Sequence, residues 1–236
     1  APGDALAGAA FVFCAACQSS SVRLSSLYDF SVMLAIIGSA FAALFLYMYG
    51  LADNDIVGVD EDISNNSPRP IPQGELSLGQ AKLARAICLV LAIIAGVAGS
   101  LPWQWWLGAL GIVACVWFYN RFKNKCKLVG LLAMGMCRSM SLLAGALAVY
   151  GALVKLGNPM AFPYGIFFLM LGWTGYIAAV TYLAYDEHNA KTGLGFHYNL
   201  LGLVSLRPIV GIIGFEGRFI LVPILVCAFM FLRWIL

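Results

Sequence analysis

Charge is what this chain has least of. Asp, Glu, Lys and Arg make up 11% of its 236 residues while apolar residues make up 62%, against roughly a quarter charged in soluble domains. A soluble fold is excluded on that ground, and a membrane protein is expected. Histidine is nearly absent, with only His188 and His197; each is isolated near a polar connection and reads as a solvated or interfacial residue. The seven cysteines (14, 17, 88, 115, 126, 137 and 227) are scattered, with no even framework, which excludes a disulfide scaffold. Cys14 and Cys17 have CxxC spacing but no further His or Cys nearby to complete a metal set, so they read as small apolar packing residues. Basic residues are too few and dispersed for nucleic acid, and the net charge of +3 follows from membrane topology.

What is present in quantity is apolar sequence in runs of spanning length, since a transmembrane helix needs about 20 such residues. The runs fall at about 3–19, 29–50, 79–100, 103–120, 128–152, 160–184, 197–214 and 218–236. They predict an all-α polytopic transmembrane bundle of about eight spans in one domain over residues 1–236. The start at Ala1 and the end in an apolar run at Leu236 suggest truncation at the N-terminus and nine spans in a full-length chain. No basic stretch precedes the first run, so no signal peptide is evident.

The second, fourth and sixth connections hold Arg69, Lys82, Arg85, Arg121, Lys123, Lys125, Lys127 and Lys191, which places them in the cytoplasm by the positive-inside rule. Most acids share those connections, although acids do little to set topology and must serve another purpose. Trp103, Trp105 and Trp106 read as an interfacial anchor on the far side. Arg138 and Arg207 lie inside apolar runs without an evident intramembrane acidic partner. They should face the bundle interior, lining a cavity or meeting a buried carbonyl or carboxylate. Gly8, Gly96, Gly108, Gly111 and Gly175 are among the small residues expected at helix contacts.

Against this background NDIVGVDED (residues 54–62) crowds acids at the end of the second span. It is either a solvated loop or a cation site. If the helix continues, at 100° per residue Asp55 and Asp62 lie within about 20° of each other, with position 58 between them. Such a face suits Mg²⁺, which takes one or two protein carboxylates and completes its shell with water and substrate phosphates. The next segment, SPRPIPQGE (residues 67–75), carries three prolines and Arg69 and is stiff enough to fold back over the acids.

NDIVGVDED followed by SPRPIPQGELS resembles the first Asp-rich motif of the UbiA superfamily of intramembrane prenyltransferases, N-D-x-x-D-x-x-x-D and then R-P-I-P-x-G. Tyr119 and Lys123 fall where members carry a Tyr and a Lys. GLLAMGMCRSMSLLAG (residues 130–145) is similar to a block of the EboC-like branch, with Arg138 matching its Arg and Ser141 replacing its Asn. The resemblance implies a membrane-open central cavity capped by two acidic connections, and Mg²⁺-dependent transfer of a prenyl group from a polyprenyl diphosphate to an aromatic or lipid acceptor. It implies metal ligands at Asp55, Asp62 and Glu187, with Asn54 supporting them. Arg69, Lys123, Arg138 and Lys191 would clamp the diphosphate, Tyr119 would line the site, and Asp186 or Glu187 would hold a second ion or orient the acceptor. Asp55, Asp62, Arg69 and Lys123 would carry catalysis. The setting would be a bacterial inner membrane with the acidic connections in the cytoplasm.

Two departures stand out. Gly58 occupies the place of the second Asp, and the second acidic motif is reduced to the adjacent pair Asp186 and Glu187. They motivate an alternative in which a degenerate descendant binds or helps export a prenylated or lipid metabolite. A transporter fits less well, as no inverted repeat is visible.

Overall fold

The computed structural model describes residues 2–190 other than 124, 125 and 159, leaving out the side chains at 127 and 183–190. The expected spans at 197–214 and 218–236, with Lys191, His197 and Arg207, lie outside the described residues. All regular structure among the described residues is helical: α1 (Pro2–Gln18), α2 (Leu24–Leu27), α3 (Phe30–Val57), α4 (Val59–Ser64), α5 (Leu78–Ala98), α6 (Trp103–Phe122), α7 (Lys127–Lys155) and α8 (Gly165–Ala190). The six long helices correspond to the first six expected spans. Two run further than apolar patterning suggests: α3 continues past residue 50 through the first acids, and α8 carries Asp186, Glu187 and His188 on helical backbone.

Local chemistry sets the helix starts. Asp29 caps α3 by accepting from the Ser31 backbone N–H at 2.8 Å and the Ser31 hydroxyl at 2.6 Å. Ser77 and Gln80 form a reciprocal capping box at the start of α5. Pro102 precedes α6, where its missing N–H would have had no partner in any case.

Helix α7 runs through the middle of the bundle, packed on α1, α3, α6 and α8, while α5 lies outside against α3. The α1–α7 contact is backbone on backbone. A Cβ at Gly8 would fall 1.8 Å from the Leu142 carbonyl oxygen, and one at Gly145 would fall 1.9 Å from that of Ala5. Gly175, expected at such a contact, instead has nothing within 4 Å of a notional Cβ. On α5 only the small residues Ala81, Ala92 and Gly96 are buried, while Leu83, Ile87, Val90 and Ile94 face outward. Small residues inward and large apolar ones outward is the pattern of a helix that meets lipid.

By length and composition α5, α7, α8 and the α2–α3 unit can each cross a membrane. The tryptophan cluster divides, contrary to the anchor reading. Trp103 is exposed, but Trp105 is buried, with its ring and that of Trp106 filling the space over Gly96. Because residue 96 has no side chain, the two indoles can pack directly against the α5 backbone there.

Candidate active site

The last turn of α3 presents three consecutive polar residues in different directions, because successive helical side chains diverge by about 100°. Asp53 turns into the protein and is buried. Its carboxylate accepts from Arg85 Nη1 of α5 at 2.8 Å and from Asn120 Nδ2 of α6 at 2.8 Å, with Arg121 Nη1 at 3.5 Å. This network ties the end of α3 to α5 and α6, so Asn54 and Asp55 start from a fixed base.

Gly58 separates α3 from α4 without breaking the hydrogen-bond path: its N–H donates to the Asn54 carbonyl at 3.0 Å and its own carbonyl accepts from Asp62 N–H at 2.9 Å. The helical register therefore persists, and Asp55 and Asp62 share a face. Asp60 and Glu61 are exposed on another. The proline segment turns back, with Ser67 N–H donating to the Asp62 carbonyl at 2.9 Å and a left-handed Gly74 (φ 77°) closing the turn. That turn brings Arg69 Nη1 to 3.2 Å from Asp55 Oδ1 and 2.8 Å from Asp62 Oδ2. Two carboxylates thus converge on one cationic nitrogen, with Asp62 the better shielded of the two.

Lys123, just beyond α6, donates from Nζ to Asn54 Oδ1 and lies 5.8 Å from the centre of the Tyr119 ring. Burial pulls its ammonium below the ordinary lysine value and nearby Arg69 adds to that, while Glu61, Asp62 and Asp55 oppose it. Beneath this polar end opens a largely apolar cavity of about 130 Å³ between α3, α6 and α7. Asn54, Tyr119 and Asn120 stand in its wall beside Tyr47, Cys137 and Arg138.

Arg138 has the acidic partner that its own run lacked. Its Nε lies 2.8 Å from Asp4 Oδ2, an ion pair by distance, although the two are not aligned as a hydrogen bond. Asp4 is fully buried at the start of α1 and also accepts from Trp173 Nε1 of α8 at 3.1 Å. The partner is far away in sequence and close in space because α1 lies directly on α7.

The structure brings Asn54, Asp55, Asp62, Arg69, Tyr119 and Lys123 to one end of the cavity and sets Arg138 further in. The side chains of Asp186 and Glu187, and Lys191 entirely, lie outside the described residues. Sequence reasoning did not single out Asp53, Arg85, Asn120 or Asp4. The available signal for Asp53 was its helical phase: two residues before Asp55 places it about 160° around the helix, toward the protein. For Asp4 it was the cost of an acid next to an apolar run, the same argument already applied to Arg138.

Taken together, the chain is an all-helical integral membrane protein with an acidic and basic cluster at the mouth of an apolar cavity. Residues 8–236 match the model of the UbiA prenyltransferase family, and the chain belongs to that family. Among curated proteins it is similar to the digeranylgeranylglyceryl phosphate synthase of Methanocaldococcus jannaschii, 31% identical over 71 residues. That stretch is 30% of this chain and about a quarter, 25%, of the length of the relative. No solved structure matches.

Proposed function

We propose that the protein transfers a prenyl group from a polyprenyl diphosphate to an aromatic or lipid acceptor within the membrane, with Mg²⁺ as cofactor. The observation that carries this reading is the convergence of Asp55 and Asp62 on the point held by Arg69, directly above an apolar cavity. Among the described residues no cluster of three His, Cys, Asp or Glu side chains converges. Two carboxylates nonetheless fit an ion that draws the rest of its shell from water and phosphate oxygens. Asp55 and Asp62 would hold it, and Glu187 is the further ligand that the family resemblance proposes.

When bound, Mg²⁺ supplies positive charge that stabilises a departing pyrophosphate. The chain's own residues do the rest. Arg69 leaves the carboxylates for phosphate oxygens, which suit its planar fork equally well. Lys123 adds a point charge beside Asn54, and the Tyr119 ring lies next to it at the boundary between mouth and cavity. Apolar walls take the isoprenoid chain and exclude the water that would otherwise quench an allylic cation. A membrane acceptor accords with the name of the archaeal relative, which is itself a synthase of a lipid phosphate.

One observation favours a second reading, that of a binder or export factor for a prenylated metabolite: position 58 has no carboxylate and Arg69 already pairs with the other two. A single experiment separates them. Purified protein with Mg²⁺ and farnesyl or geranylgeranyl diphosphate should show a melting shift and slow pyrophosphate release, both lost in Asp55→Ala and Asp62→Ala. Binding without release in any acceptor mixture, or no binding of the diphosphate at all, favours the binder of a prenylated metabolite.

A further inference from the structure

Arg138 stands apart from the diphosphate cluster. Its guanidinium carbon lies 5.7 Å from the centre of the Tyr47 ring, and Tyr47 precedes Asp55 by eight residues, about 12 Å along α3. That separation sets Arg138 toward the other end of the cavity from a diphosphate held at Asp55 and Asp62. The Nε edge of Arg138 is turned to Asp4, and its Nη groups meet no hydrogen-bond acceptor among the described residues although the side chain is mostly buried in the cavity wall. A two-pronged donor therefore faces the interior of the cavity, at a depth that leaves room for about one ring between it and the diphosphate.

Its charge is already balanced by Asp4, which is fully buried. A ligand bringing a second negative charge would leave the site with an uncompensated anion in a low-dielectric wall, which is costly. A neutral carbonyl or hydroxyl oxygen accepts the same N–H groups without that cost.

We propose that Arg138, oriented by Asp4 and Tyr47, binds the prenyl acceptor, and that the Asp4 carboxylate selects an electrically neutral, oxygen-bearing ring over a carboxylated one. This replaces the expectation that Arg138 clamps the diphosphate, and it rests on the prenyl-transfer reading for the identity of the other ligand. Arg138 is a binding residue in this scheme and Asp4 a specificity-setting one.

The test uses a matched pair of probes at pH 8, neutral 4-hydroxyphenylacetamide and anionic 4-hydroxyphenylacetate, with the full chain in nanodiscs. Binding is read by melting shift in the presence of Mg²⁺ and a non-ionisable geranylgeranyl diphosphate analogue. The parent should bind the amide at least tenfold more tightly. Asp4→Asn, which keeps an acceptor for Trp173 and removes the charge, should narrow or reverse that ratio by about tenfold. The double variant Asp4→Asn/Arg138→Gln, neutral throughout, should bind both probes weakly and show no preference.

Binding of the diphosphate analogue alone should be the same in all three proteins, and its absence in the parent would defeat the prenyl-transfer reading instead. If the parent prefers the acid, binds neither probe, or keeps its ratio in Asp4→Asn, the proposal is wrong. Should Asp4→Asn melt too low to assay, Arg138→Gln alone must abolish amide binding while analogue binding persists.

Discussion

Placing a carboxylate at position 58, between Asp55 and Asp62 on their shared face, tests the metal reading. The backbone there has φ −88° and ψ 3°, negative-φ values open to residues other than glycine. A Cβ would lie 3.2 Å from the Asn54 carbonyl oxygen and 3.6 Å from Asp62 Oδ2. The first contact is tight enough to require a small shift, and the second places the new side chain beside the existing acids. At about 4 Å a carboxylate attracts a dication by roughly 2 kcal/mol at the dielectric of water and about four times that at an effective value of 20. Asp55 is 44% exposed, so the water-like end applies. Repulsion from Asp62 at about 5 Å, roughly 0.8 kcal/mol on the same scale, is present with or without the ion and so costs fold stability rather than affinity. The gain is about 2 kcal/mol, roughly thirtyfold in affinity. Gly58→Asp should therefore bind Mn²⁺ about thirty times more tightly by titration calorimetry, with a metal-dependent melting shift that grows accordingly. A variant that melts like the parent without metal, yet binds Mn²⁺ no better, would refute the assignment of this face as the ion site.

Other expectations follow from the same geometry. Because burial lowers the Lys123 pKa, its ammonium is lost at a pH below that of an ordinary lysine. Diphosphate affinity should fall as pH rises through that lowered value, and Lys123→Arg should move the fall upward in a pH series of binding constants. The same sign means that burying the charged form costs stability at lower pH and that this cost is relieved as pH rises. Asp53→Ala leaves Asn120, Arg85 and Arg121 without their shared acceptor. Since both arginines are about a third exposed, at 33% and 34%, the loss should be discounted to about 1–3 kcal/mol, read as a drop in melting temperature. Gly145→Val drives a side chain into the Ala5 backbone, and it should separate α1 from α7 and give little folded protein by size-exclusion chromatography in detergent.

The six long helices up to residue 190 and the face shared by Asp55 and Asp62 were legible from apolar run length and a 100° phase, while the short α2 and α4 were not. Those are properties of a single segment. The misreadings belong to contacts between segments. Trp105 looks like an interfacial residue until α6 is laid against Gly96 of α5, and Arg138 looks unpaired until α1 is laid on α7. Gly8 is expected at a helix contact, but nothing in the pattern names its partner. Only the approach of Gly8 to Leu142 and of Gly145 to Ala5 shows that two backbones touch and that Asp4 is thereby carried to the arginine.

The placement of charge then becomes intelligible as two tiers along one largely apolar cavity. At the mouth, Asp55 and Asp62 share Arg69, a cation that a diphosphate could draw away, while the buried Asp53 stays held by Arg85 and Arg121. Deeper in, Asp4 and Arg138 form an ion pair whose acid is fully buried. Exchangeable charge at the entrance suits a substrate that arrives as a polyanion and departs as pyrophosphate. A pair that is already neutral suits one that must enter from lipid without carrying charge, and the two requirements cannot be met by the same set of groups in a single low-dielectric cavity.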